Sequence, residues 1–153
     1  MIATTATSRT ATSRPTLPAR LTDLVFFYGT LMSGFKHRGR ARLDTKLAPE
    51  GRGWIHATLF DLGSYPAAIP AAESRVWGEV HRMLDVDEVL STLDEIEGFR
   101  PGEPGASLYT RVEAPVTLED GRDATAWVYF YNAPLGRAQR IESGDYLQHL
   151  KVK

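Results

Sequence analysis

The sequence predicts an α+β domain in which a curved sheet or barrel packs against a few helices. Three observations carry this. Five short runs rich in β-branched and aromatic residues punctuate the chain; one segment has strong helical periodicity; and the last two apolar runs flank an Asp-Gly pair. Strands that outnumber helices, without regular β–α alternation, favour α+β over a doubly wound fold.

The first strand is expected at Leu24-Val25-Phe26-Phe27-Tyr28, an apolar run stopped by Gly29. Further strands are expected at Trp54–Leu62, Val76–Leu84, Tyr109–Leu118 and Ala124–Tyr131. The last two are joined by Glu119-Asp120-Gly121-Arg122, whose glycine supplies the positive φ of a hairpin turn, so they should pair antiparallel. The helix is expected over Val86–Glu97. Asp85 caps its start with Glu88 three residues on, and Gly98 ends it. A shorter helix is expected after Ser143.

Residues 1–20 are set apart by Thr, Ser, Ala and Pro, with Arg9, Arg14 and Arg20 as their only charges. Such a segment cannot supply a core and is expected to be a disordered tail, a targeting leader being the less common reading of the same composition. The folded domain is expected over residues 21–153.

At 153 residues the chain is long enough for one domain with its own core. A net charge of -1 provides no general attraction to nucleic acid or an anionic membrane. The run Lys36-His37-Arg38, with Arg40 and Arg42, has only Phe35 beside it and reads as a solvated loop rather than a nucleic-acid stripe. Without cysteine the chain has no disulfide framework, thiolate metal knuckle or thiol nucleophile. The histidines His37, His56, His81 and His149 are scattered, which argues against a metal site. Ser33, Ser64 and Ser107 lack the setting of a hydrolase nucleophile. No apolar run has the length of a membrane-spanning helix, and a soluble, cytoplasmic protein is expected.

Helix phase selects one candidate for chemistry. A step of 100° per residue puts Val89, Leu90, Leu93 and Ile96 on one face and sends Ser91, Asp94 and Glu95 elsewhere. Glu97, at i+4 from Leu93 and i+7 from Leu90, falls inside the apolar stripe. Burial and the negative end of the helix dipole should both raise its pKa, which suits proton transfer near neutrality. The competing reading is a frayed helix end at which Glu97 faces water or pairs with Arg100 or Arg111.

The second candidate is the turn Tyr28-Gly29-Thr30-Leu31, where a glycine just past a strand lets backbone N–H groups approach an anionic ligand. Taken singly, it reads equally as an ordinary tight turn. Tyr28, Tyr65 and Tyr109 are expected in the core or in a pocket wall, and the Gly/Pro-rich stretch Pro101–Ser107 is expected to shape the pocket.

Six segments occur together in order: Tyr28-Gly29-Thr30-Leu31, Leu62-Gly63-Ser64-Tyr65-Pro66-Ala67, Val76-Trp77-Gly78-Glu79-Val80, Leu93-Asp94-Glu95-Ile96-Glu97-Gly98-Phe99, Tyr109-Thr110-Arg111 and Ala126-Trp127-Val128-Tyr129. This set, spanning Leu24 to Leu150, resembles the γ-glutamylcyclotransferase-like family in its γ-glutamylamine cyclotransferase branch. The resemblance implies a small mixed, mainly antiparallel β-barrel with flanking helices, needing no cofactor and no metal. It implies Glu97 as proton acceptor and donor, and Tyr28, Gly29, Thr30 and Leu31 as the substrate-binding turn. The implied partner is a small γ-glutamyl compound, cleaved by its own α-amine to give 5-oxoproline and a free amine. A catalytically silent binding or structural protein on the same fold is the alternative.

Overall fold

The computed structural model describes residues 22–33 and 42–151. The elements are β1 (Leu24–Phe27), β2 (Leu47–Asp61), β3 (Pro66–Met83), α1 (Val86–Glu97), β4 (Tyr109–Leu118), β5 (Asp123–Tyr131), β6 (Gln139–Arg140) and α2 (Tyr146–Lys151), with single tight turns of helix at Asp44–Lys46 and Pro104–Ala106. The expected tail and the basic run from Lys36 to Arg40 lie outside the described residues.

Strand order is β3-β1-β5-β4-β2-β6, and β2 also pairs with β3. That last pairing closes the first five strands into a small, mostly antiparallel barrel, with β6 as an edge strand. The chain therefore has the mixed α+β barrel with flanking helices that the sequence predicts. β1 runs parallel to β5 through Val25 and Trp127 and antiparallel to β3, with Phe27 opposite Glu79. β4 and β5 form the expected hairpin, in register from Tyr109–Tyr131 to Thr117–Asp123.

Two strands are longer than their apolar runs. β2 starts at Leu47 rather than Trp54, and β3 at Pro66 rather than Val76. Pairing explains this: the two strands hydrogen-bond along one long hairpin, which carries Pro, Gly and charged residues into the sheet that local propensity would leave out. The ladder breaks between His56 and Ala57, where the partner jumps from Arg75 to Pro70. This bulge lets the far end of the hairpin bend, as extra residues in one strand generally do. Its closing turn, Leu62 to Tyr65, is held by Leu62 N–H to Tyr65 O at 3.0 Å.

α1 has the bounds its sequence predicts. Asp85 accepts a hydrogen bond from Glu88 N–H, and Gly98 adopts the left-handed conformation at φ 66°. Phe99 N–H then reaches back to Asp94 O at 2.9 Å, a Schellman-type closure that a residue with a Cβ would strain. The core is continuous across the barrel and α1, with Val25, Phe26, Ile55, Val76, Val80, Val89, Leu93, Val116 and Val128 all essentially inaccessible. At 25 cal/mol per Å² of apolar surface, each such side chain contributes about 1.5–3 kcal/mol. No described helix is long and apolar enough to cross a membrane.

Candidate active site

One cavity of about 430 Å³ opens where the end of β1, the β2–β3 turn, the last turn of α1 and the edges of β4 and β5 converge. Tyr28, Gly29, Thr30 and Leu31 form one side of it, and Ile96 and Glu97 another. Tyr65, Pro66, Leu108, Tyr109 and Tyr129 complete most of the wall. All five residues singled out for chemistry in the sequence thus border one space.

The Tyr28–Leu31 turn is clamped along its length. The Tyr28 phenol donates to Tyr129 O at 2.6 Å and accepts from Ala68 N–H at 3.3 Å, which fixes the turn's start to β5 and β3. Met32 N–H to Gly29 O closes the bend, leaving the N–H groups of Gly29 and Thr30 outside that bond. At the far end, Ser33 donates both its N–H and its hydroxyl to Glu79, at 2.8–2.9 Å. His81, buried and 3.0 Å from the same carboxylate, supports Glu79 from behind. Burial works to raise the Glu79 carboxyl, but the hydrogen bonds from His81 and Ser33 outweigh it and hold the group below its ordinary value, as an anion.

Gly29 also has a packing reason beyond the one expected. Its φ is not positive, and a Cβ there would lie 2.9 Å from Pro66 Cγ. The absent side chain makes room for the Pro66 ring. That contact joins two of the six motif segments.

Glu97 stands in the wall with no hydrogen-bond or ion-pair partner among the described residues. Its side chain is half-buried because it faces an open cavity, and surrounding protein atoms strip much of its hydration. Burial pushes its carboxyl from near 4.5 up to about 7. The competing arrangement is absent: Arg111 pairs with Asp94, and Arg100 with Glu103. Burial, and then the Glu97 charge, push the Tyr28 and Tyr109 phenols well above their ordinary range; burial and the bond to Asp94 do the same for Tyr129. These three phenols therefore keep their protons, and Glu97 is the cavity-lining group that titrates near neutrality.

Two expectations are corrected. Asp94, placed off the inner face by sequence, is buried: it accepts from Tyr129 Oη at 2.6 Å and from Arg111 at 2.8 and 3.2 Å. The spacing held the signal, since Leu90, Leu93, Asp94 and Glu97 follow the i, i+3, i+4, i+7 rule, but a charged residue reads as exposed until its cation is known. Second, Pro101–Ser107 does not line the cavity; its neighbour Leu108 does. The loop folds on itself through Ser107 Oγ to Glu103 O at 3.1 Å, and Asn132 anchors it by donating to Pro104 O and Ser107 O. Tyr65 and Tyr109 are wall residues, as anticipated.

The sequence family described as "Gamma-glutamyl cyclotransferase, AIG2-like" matches residues 25–148, which takes in every wall of this cavity. The chain belongs to the AIG2-like γ-glutamyl cyclotransferase family. A Methanocaldococcus jannaschii relative is 30% identical over 126 residues, covering 81% of this chain and 95% of its own. The γ-glutamylcyclotransferase family protein YtfP of Escherichia coli is 35% identical over 95 residues, 61% of this chain and 70% of its own. The solution structure of YtfP from Escherichia coli superposes with a TM-score of 0.58 at 29% identity, over 82% of this chain and 97% of that one. An AIG2-like protein of Mus musculus shares the fold at 23% identity, with a TM-score of 0.61 over 78% and 86% of the two chains. Family membership supports enzymatic activity of the general γ-glutamylcyclotransferase type. Among the described residues no group of three or more His, Asp or Glu side chains is arranged to hold a metal ion.

Proposed function

We propose that this protein cleaves a γ-glutamyl amide by attack of the substrate's own α-amine on its γ-carbonyl, releasing 5-oxoproline and a free amine. The carrying observation is the Glu97 carboxyl, without a hydrogen-bond or ion-pair partner among the described residues, facing the cavity that the Tyr28–Leu31 turn also borders. The substrate needs no nucleophile from the protein. Its α-nitrogen bonds to the γ-carbonyl carbon and closes the five-membered ring, the carbonyl π electrons move to oxygen, and their return expels the amine and leaves the lactam.

In this reading Glu97 acts twice. As the carboxylate it takes a proton from the α-nitrogen, and as the acid it delivers that proton to the departing nitrogen; the second proton lost by the α-ammonium ends on the released amine, which leaves as an ammonium. A carboxyl near pH 7 is matched to both tasks. Main-chain N–H groups of Gly29 and Thr30 are oriented by the clamped turn to receive the α-carboxylate or the developing oxyanion. Holding the glutamyl chain folded for ring closure is itself worth up to about 7–11 kcal/mol in favourable intramolecular reactions.

The apolar and phenolic wall of Tyr65, Leu108, Tyr109 and Ile96 supports a γ-glutamylamine as substrate, since the leaving group meets no fixed charge on those residues. The test is 5-oxoproline release from a panel of γ-glutamyl amines, γ-glutamyl dipeptides and glutathione. We expect turnover of at least one amine, with a loss of about 10²–10⁴-fold for Glu97→Gln. An unaffected Glu97→Gln variant overturns the role of Glu97; silence across the panel with measurable binding favours the non-catalytic alternative.

A further inference from the structure

Arg111 is committed to Asp94 rather than to Glu97. Its guanidinium lies on Asp94 by two hydrogen bonds, at 2.8 and 3.2 Å, and stacks 4.6 Å from the Trp127 ring and 5.5 Å from the Phe99 ring. Asp94 and Phe99 flank Glu97 in the chain, and Asp94 is one helical turn before it on the same side of α1. Residues at i and i+3 on a helix have Cβ atoms about 5–6 Å apart. A guanidinium that grips the first is therefore within a side-chain rotation of the second.

Asp94 accepts from a second side chain besides Arg111. One of its oxygens also receives the Tyr129 hydroxyl, so the carboxylate is oriented by a side chain that itself lines the cavity. Both partners of the pair are largely covered, at 13% and 16% side-chain exposure, which makes the arrangement hard to exchange for water. The pair is bidentate, the geometry in which arginine is held most firmly.

We infer that Asp94 is a positioning residue: it detains Arg111 so that Glu97 faces the cavity unpaired with this guanidinium. The pair neutralises itself and leaves Glu97 surrounded by neutral groups. These are Tyr28 from the end of β1, Tyr65 from the β2–β3 turn, Tyr109 from β4 and Tyr129 from β5, which line the cavity with Glu97, while the charged Asp94 on α1 and Arg111 on β4 are paired with each other outside that lining. Were Arg111 released, it would stabilise the Glu97 anion and spoil it as a proton donor. The inference rests on the proposed reaction for its purpose, though not for its test.

The experiment follows the Glu97 carboxyl directly by carbon-13 NMR through a pH titration, in the full chain, whether or not any substrate is turned over. Asp94→Asn is expected to lower the Glu97 midpoint by about 1–3 units, the usual effect of an opposite charge within reach. Adding Arg111→Gln to that variant should return the midpoint to its wild-type position, a reversal that loss of packing alone would not produce. Arg111→Lys keeps the charge but not the two-pronged grip. It should lower the midpoint by a smaller amount, and it serves if Asp94→Asn does not fold. A midpoint unmoved in Asp94→Asn or Arg111→Lys, or one that stays low after Arg111→Gln is added, overturns the inference. If the midpoints move as expected while no γ-glutamyl compound is cleaved, the positioning role stands and the proposed reaction fails.

Discussion

The turn after β1 and the last turn of α1 border the same cavity, but they are built on opposite principles. The turn offers backbone and is tied down at both ends, by the Tyr28 phenol and by Glu79. The helix end offers a carboxyl that no described residue ties down, while the neighbouring Asp94 carries the ion pair. Positioning a ligand requires rigidity, and rigidity comes from satisfied hydrogen bonds. Moving a proton requires a group whose two protonation states are close in free energy, and a fixed partner would remove that balance.

The sharpest way to break the contrast is at Gly29. A Cβ at 2.9 Å from Pro66 forces the turn away from the β2–β3 hairpin, and overpacking of this kind typically costs about 1–3 kcal/mol. Gly29→Val should therefore lower the melting temperature and raise KM at least about fivefold by the same energetic scale, both read on purified protein. A variant with unchanged KM would show that the turn does not touch the substrate.

The helix side makes a prediction about pH. The carboxylate form of Glu97 takes the first proton, so kcat/KM should rise with pH and level off above about 7, the value to which burial lifts this group. Stability should run the other way. The unfolded chain releases this proton near 4.5 and the folded chain near 7, so the contribution is complete below 4.5 and is lost as pH rises through 7. Glu97→Gln, which cannot ionise, should gain melting temperature over the wild type at pH 8 relative to pH 4, by about 2–4 °C per kcal/mol for a chain of this size. An equal difference at both pH values would contradict the burial of this carboxyl.

Smaller effects separate the clamp from the cradle. Glu79→Gln weakens the hold on Ser33 and should raise KM several-fold with little change in kcat, because hydrogen bonds to a charged group are worth about 1.5–3 kcal/mol and only part of that is lost. Thr30→Ala should change KM by less than about twofold, since the turn is proposed to act through its main chain and an isolated surface change rarely exceeds 0.5 kcal/mol. A larger effect at Thr30 than at Glu79 would move the recognition from backbone to side chain.

Local chemistry wrote much of this molecule in its sequence. The Asp85 cap, the Gly98 stop and the 3.6-residue period delimit α1 and put Glu97 on its inner side; Asp120-Gly121 delimits the β4–β5 hairpin. These signals act over a few residues and need no partner to be read. The strand lengths of β2 and β3, the reason for Gly29, the burial of Asp94 and the withdrawal of Pro101–Ser107 from the cavity were decided only by tertiary structure. Each depends on a group far along the chain: the opposite strand, the Pro66 ring, the Arg111 guanidinium or Asn132. A carboxylate's charge is visible in the sequence, but whether it is neutralised depends on which cation the fold brings to it, and so the difference between Asp94 and Glu97 belongs to the barrel rather than to the helix.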